Sequence, residues 1–383
     1  MDTKNKAAVL PADHYDTPVT DPPRDPAAYE FVRPARIRQV LEETPIVFLP
    51  VGCMEYHGPH LPLGVDMLTA DAMCHQTAAI TGGVVLPPLW LASGVLPLPH
   101  SITVDTAVLR AAVRPILRQL AEGGFKVMVV FSGHGALDHL HVLREETDRV
   151  MEEFPDVNAL TTVWNELNAI MAGDIHDHGA KVETSYLMEF HPHTVDLTTL
   201  EDDLEAEHVG VYAANPRFTA SREWGAAMSN HAVGRLVGIV EGFSAGERAD
   251  SWVMLRQLVT RLQSGDLEVV TDSGRVENGS LRFDLYNPHP QSKYITAVGS
   301  LTIGGRELDL AGATLANPSV GEGHTDTRVD RLGPLSGFYV RRDQRMVVTV
   351  PGAGIGPGHH EVAAEFVLAD VLEIGARGNL SIG

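Results

Sequence analysis

The chain has 383 residues, of which 44% are hydrophobic and 21% charged, enough apolar material for a core and too much for a disordered polymer. Fifty acidic residues against twenty-nine Lys and Arg give a formal charge of −21, which repels phosphate backbones and anionic lipid heads and argues against nucleic-acid or membrane-surface partners. Two cysteines, Cys53 and Cys74, exclude a disulfide scaffold, and no run approaches the ~20 apolar residues that span a bilayer.

The N-terminal segment lacks a basic stretch followed by an apolar one, so no secretory signal is expected and the protein reads as soluble and cytoplasmic. Residues 1–33 carry Pro11, Pro18, Pro22, Pro23 and Pro26, with Pro34 just beyond, and predict an extended arm packed on the body or on a neighbouring subunit. Next come four short apolar runs, 46–51, 82–89, 126–131 and 158–163, which read as fully buried strands. Helical stretches are expected at Met67–Ala79, Thr106–Glu122 and Leu137–Phe154. The second carries Val108, Leu109, Ala112, Val113, Ile116, Leu117 and Leu120 as an apolar stripe. Buried strands alternating with amphipathic helices imply an α/β domain, a parallel sheet covered on both faces.

A further helical segment is expected from Asn230 to about Gln263. Beyond Gly265 the pattern changes to alternating segments, SLRFDLYN, YITAVGSLTIGG and RMVVTVPG among them, between Gly- and Pro-rich turns. That predicts an antiparallel β-sandwich or jelly roll. The expected domains are therefore the arm, 34–264 and 265–383.

Chemistry concentrates where the strands end, as it does in open α/β sheets. After strand 46–51 comes Gly52-Cys53-Met54-Glu55-Tyr56-His57-Gly58-Pro59-His60-Leu61-Pro62-Leu63-Gly64-Val65-Asp66. Glu55 and His57 are two apart and point to one side of an extended segment, and Asp66 can return to them after the Pro59–Pro62 turn. One imidazole with two carboxylates suits a divalent ion such as Zn or Mn. After strand 126–131, Gly133 and Gly135 flank His134. A third cluster, His176-Asp177-His178-Gly179-Ala180-Lys181-Val182-Glu183, opens a helix and turns Glu183 toward the same crevice. His139, His141, His191, His193, His324, His359 and His360 read as ordinary polar side chains.

The run Glu55-Tyr56-His57-Gly58-Pro59-His60-Leu61-Pro62 with Asp66, followed by Gly133-His134-Gly135 and then His178-Gly179-Ala180-Lys181-Val182-Glu183-Thr184-Ser185, closely resembles the creatininase (creatinine amidohydrolase) family across roughly residues 35–245. The resemblance implies a three-layer α/β/α fold, a small-molecule substrate, two divalent ions (Zn or Mn) and a homo-oligomer, often a hexamer. It implies that Glu55, Asp66 and His134 hold one ion, while His57, Asp66 and a further glutamate hold the other. Creatininase itself places that glutamate two residues after the second-motif histidine, where this chain has Ala136; Glu183 is the substitute, with a catalytic part as well. His178 is expected to shuttle protons while a metal-activated water attacks the substrate carbonyl.

The family's Pro-Gly-Thr loop reads Pro99-His100-Ser101, so His100 and Ser101 are expected at the substrate, with Tyr56 and His60. Tyr56 and Cys53 replace the usual Gln and Ser, and Cys53 is read as packing. Together these departures argue against strict creatinine hydrolysis. The tail segment around Val350-Pro351-Gly352 and Gly356-Pro357-Gly358-His359-His360-Glu361-Val362 faintly resembles the small subunit of C-glycoside deglycosidases, and some creatininase relatives open the ring of a dehydro-inosose. Three readings stay open: a cyclic amidohydrolase, a carbon–carbon hydrolase or lyase acting on an oxidised inositol or keto-sugar in carbohydrate metabolism, and a non-catalytic sugar- or metal-binding protein.

Overall fold

A computed structural model describes residues 28–168, 177–202, 210–248, 250–263, 265–289, 293–317, 326–333, 338–340, 344–368 and 372–383. Most of the expected arm, His176 and His324 lie outside the described residues. The chain divides into two compact units, Met1–Met254 and Leu255–Gly383.

The first unit runs α1 (Pro34–Glu43), β1 (Ile46–Val51), α2 (Val65–Thr81), β2 (Val84–Val85), α3 (Thr106–Glu122), β3 (Val127–Ser132), α4 (Leu137–Glu153), β4 (Asn158–Val163), α5 (Trp164–Asn168), α6 (Lys181–Phe190), α7 (Pro216–Thr219) and α8 (Arg222–Ser244). Its four strands are parallel in the order β2-β1-β3-β4. All six residues of β1 and of β3 are buried, because helices cover both faces and leave no face for polar alternation. Phe48, Val129, Phe131 and Leu160 share one core with Ala70, Met73, Tyr186, Leu236 and Val240 of α2, α6 and α8. α3 packs on α4, and buries Leu109, Val113, Leu117 and Leu120 of the expected stripe while Val108 stays exposed. The result is the three-layer α/β/α domain.

Two expected elements change. Strand 82–89 shrinks to β2, because Pro87 and Pro88 have no N–H to give a ladder. The expected single helix from Asn230 to Gln263 is two, α8 and α9 (Ser251–Gln263), separated where Gly246 takes φ +91°. The division between the units falls within α9, ahead of the expected boundary at 264, because the later turns of this helix group with the C-terminal residues.

The second unit contains β5 (Leu267–Val269), β6 (Arg275–Glu277), β7 (Ser280–Tyr286), β8 (Lys293–Ile303), β9 (Arg306–Glu307), β10 (Thr314–Ala316), β11 (Thr327–Arg328), β12 (Phe338–Val340), β13 (Arg345–Pro351), β14 (Gly358–Leu368) and β15 (Leu372–Ile382). Every pairing among them is antiparallel except β5 with β15. Burial alternates strictly along β7, and Phe283, Leu301, Leu315, Val348 and Phe366 from five strands line one small cavity, so these strands share a core.

Lys293 at the start of β8 is fully buried, and this burial pulls its ammonium down to about 8, with Asp266 opposing the shift. An unfolded lysine titrates near ~10.4, so between about pH 8 and that value the unfolded chain binds more protons and stability rises with pH. The gain is at most ~3 kcal/mol at ~1.4 kcal/mol per pH unit. Thermal melts should show this alkaline rise in the natural chain, and Lys293→Met should flatten it.

Candidate metal centre

The centre is assembled at the carboxyl ends of β1 and β3 and at the start of α6. After β1 the chain runs out extended, turns through Pro59–Pro62 and returns. The Glu55 N–H donates to the Leu63 carbonyl at 2.8 Å, which closes the loop and puts Asp66 on the first turn of α2 beside the outgoing residues. Gly133 lets the end of β3 approach the same turn: a Cβ there would stand 2.0 Å from the Asp66 carbonyl oxygen. Gly179 (φ +60°) does the same for the third segment, since a Cβ would meet the His57 carbonyl oxygen at 2.4 Å. Asp177 accepts the Val182 and Glu183 N–H groups at 2.8 and 3.0 Å, fixing the start of α6 so that Glu183 turns inward. Gly179 N–H then donates to Glu183 Oε2 at 2.7 Å.

Glu55, His57, Asp66, His134 and Glu183 are all buried, each 6% exposed or less. Asp66 divides them. Its Oδ1 faces His57 Nε2 at 3.3 Å, and the same nitrogen faces Glu183 Oε2 at 3.4 Å. Its Oδ2 faces His134 Nδ1 at 3.1 Å, which also faces Glu55 Oε2 at 3.3 Å. Donor atoms held by one ion through bonds of about 2.1 Å stand ~3.0–3.4 Å apart at octahedral or tetrahedral angles, which is the spacing seen here. Cys53, Glu55, Asp66 and His134 form one group of donors, and His57, Asp66 and Glu183 form another.

Tautomers point the same way. His57 Nδ1 lies 3.0 Å from the Glu55 carbonyl and His134 Nε2 lies 3.1 Å from the Ser93 carbonyl. A carbonyl only accepts, so both of those nitrogens carry hydrogen. The second nitrogen of each ring is therefore left facing carboxylates. A cation or a proton must sit between them, and backbone anchoring of the far N–H is how metal-binding histidines are oriented. Without an ion the proton takes that place. Burial disfavours a charged His57, but Glu183 and Asp66 outweigh it and lift the imidazole to about 10. Burial likewise opposes the charge on Asp66, yet His57 and His134 hold it well below the usual carboxylate range. Burial pushes Glu183 up. The residues present fit divalent-metal ligation, with Asp66 between the two histidines.

The other expected residues are placed as follows. His178 is half-buried, stacks on His57 with ring centroids 4.1 Å apart, and donates from Nε2 to the Tyr56 carbonyl at 3.0 Å. Burial, then the charge on His57, pulls it down to about 4. Tyr56 is half-buried with its ring over Gly210, where any Cβ would strike it, and its N–H donates to Ser101 Oγ at 3.1 Å. His100 is exposed in a left-handed conformation, φ +65°. His60 is only 1% exposed and bonds Thr184 Oγ1 at 2.9 Å. The sequence reading missed Cys53. Its Sγ lies 2.9 Å from Asp66 Oδ2 and belongs to the donor group. The signal was the alternation 53, 55, 57, which sends all three side chains to one side of an extended segment.

Gly133→Ala is expected to disturb this centre from the backbone. Its Cβ would meet main chain that cannot swing aside, so β3 and the start of α2 must part, at a cost of ~1–3 kcal/mol or more. Metal stoichiometry and thermal melts should both fall. A fully loaded, equally stable variant would disprove the close approach.

Residues 32–240, more than half of the chain, match the creatininase family model, described as creatinine amidohydrolase. The creatinine amidohydrolase of Pseudomonas putida is 28% identical over 181 residues, covering 41% of this chain and 68% of that protein. The 3-dehydro-scyllo-inosose hydrolase of Thermotoga maritima is 28% identical over 109 residues (26% and 33%), and the mycofactocin precursor peptide peptidase of Mycolicibacterium smegmatis 33% identical over 106 (26% and 42%). The chain thus spans well under half the length of these last two. A tryptophan-to-alanine variant of creatininase superposes with a TM-score of 0.50 at 23% identity, covering 57% of this chain and 98% of that one, which establishes a shared fold. With its sheet, the donor residues at the ends of β1 and β3 and at the start of α6, and the match over 32–240, the chain belongs to the creatininase family of hydrolases.

Proposed function

We propose that the chain is a metal-dependent hydrolase of a small cyclic carbonyl compound, with Glu55, Asp66 and His134 holding one divalent ion and His57, Asp66 and Glu183 the other. The observation that carries this reading is the division of Asp66, one oxygen toward each histidine. Divalent ions bound there would supply Lewis acidity and lower the pKa of water to near ~7.

The chain's own residues do the rest. Leu96 N–H donates to Glu55 Oε1 at 2.6 Å, which leaves Oε2 directed at His134 and fixes the carboxylate. Gly179 N–H holds Glu183 through Oε2, the same oxygen that faces His57. His178, neutral at pH 7 and with Nε2–H committed to the Tyr56 carbonyl, keeps Nδ1 as an acceptor for a proton. Tyr56, His100 and Ser101 are the candidates for substrate contact, since none of the three is buried.

The substrate divides two readings. A creatinine-like cyclic amide loses an amine nitrogen, whereas an oxidised inositol loses a carbon stabilised by its ketone; similarity to both kinds of hydrolase supports testing them together. Zn- and Mn-loaded protein should be assayed against creatinine, lactams, formamides and oxidised inositols, before and after exhaustive chelation. Turnover is expected with one class, lost on chelation and restored by metal. Activity in a verified metal-free sample would overturn the reading.

A further inference from the structure

We propose that Cys53 supplies a thiolate to the ion held by Glu55, Asp66 and His134, making that half of the centre a sulfur, nitrogen and oxygen site that prefers zinc to manganese. The assignment rests on the metal centre proposed above. Cys53 is fully buried, with Ala92 and Val95 as apolar neighbours. Its sulfur is nevertheless turned to the donors: 2.9 Å from Asp66 Oδ2, 3.4 Å from Glu55 Oε2 and 3.6 Å from His134 Nδ1. One sulfur therefore meets every other donor of that half. A Zn–S bond of ~2.3 Å beside Zn–N or Zn–O bonds of ~2.1 Å sets sulfur and its neighbours about 3.6 Å apart at the tetrahedral angle, close to two of the three separations. The shorter one is the thiol donating to Asp66, a bond that ends when the ion replaces the proton.

Gly52 makes this possible. A Cβ at that position would stand 2.3 Å from the Met67 backbone nitrogen, so only glycine lets the end of β1 come close enough to α2 for Cys53 to reach Asp66. Loading is a simple exchange: the S–H bond breaks, its proton leaves to solvent, and a sulfur–metal bond forms with no change of oxidation state. Thiolate favours zinc over the oxygen-seeking manganese ion, so the two halves of the centre differ in selectivity. Cys74, buried in the apolar core of α2 and absent from the donor groups, is the internal control.

The test uses the full chain loaded with Co(II). A thiolate-to-cobalt charge-transfer band in the near ultraviolet is expected, retained in Cys74→Ala and lost in Cys53→Ser. Because the chain has only these two cysteines, retention in Cys74→Ala assigns the band even if Cys53→Ser does not fold. Competition between Zn and Mn should show the preference for Zn falling ~10-fold or more in Cys53→Ser. Stoichiometric cobalt with no such band, a band that survives Cys53→Ser, or an unchanged preference would each overturn the thiolate assignment and leave the metal centre standing. Failure to bind cobalt at all would overturn both.

Discussion

Asp66→Asn should lose more metal than any other single substitution in the centre, and lower turnover on the order of 10³-fold. The natural carboxylate offers an anionic oxygen to each half, Oδ1 toward His57 and Oδ2 toward His134. The amide has one oxygen and no charge, so at least one half keeps an NH₂ group pointed at a ligand nitrogen. Lewis-acid catalysis contributes several kcal/mol, and each ~1.4 kcal/mol is tenfold in rate, which sets the expected scale. Metal analysis at fixed free Zn, read beside turnover, is the measurement. His134→Ala should empty one half, whereas Asp66→Asn weakens both. An Asp66→Asn protein with full metal content would remove Asp66 from between the ions.

Much of this centre was legible because strand ends and ligand-type residues coincide in the sequence. β1 and β3 follow from apolar runs, Glu55, His57 and His134 lie shortly after them, and Asp66 returns to them on the first turn of α2. Glu183 is different. Its place on the first turn of a helix follows from the glycine-containing stretch before it, but it is far along the chain and its pairing with His57 and Asp66 came from family resemblance. Cys53, read as packing, is buried as a small hydrophobe is, and what the sequence does not show is that its Sγ stands beside three polar atoms. His60, expected at the substrate, is enclosed by the packed turn and bonds Thr184, which its place in the motif does not reveal. The broken helix after α8 depends on the left-handed backbone at Gly246, which an apolar periodicity does not reveal.

His178→Ala, in contrast to Asp66→Asn, should keep the metal and lose rate by ~10² or more, the ordinary scale for removing an acid–base group. His178 is not in either donor group that contains Asp66; it stacks on His57 and hangs from the Tyr56 carbonyl. Its imidazole is drawn down to about 4 by burial and by its neighbour His57, so the proton-accepting form persists from neutrality to well below pH 6. The sign follows directly. A base of depressed pKa keeps kcat/KM level as pH falls past the ordinary histidine value near ~6.5, and the acid limb from this group begins only as pH approaches about 4. In His178→Ala that limb disappears from a uniformly lower profile. The competing outcome is equally concrete, because Glu55, His57 and His178 also form a possible donor group. If His178→Ala loses metal in proportion to rate at fixed free Zn, His178 is a ligand, and the proton must be carried by another group, for which Glu183, pushed up by its burial, is the first candidate.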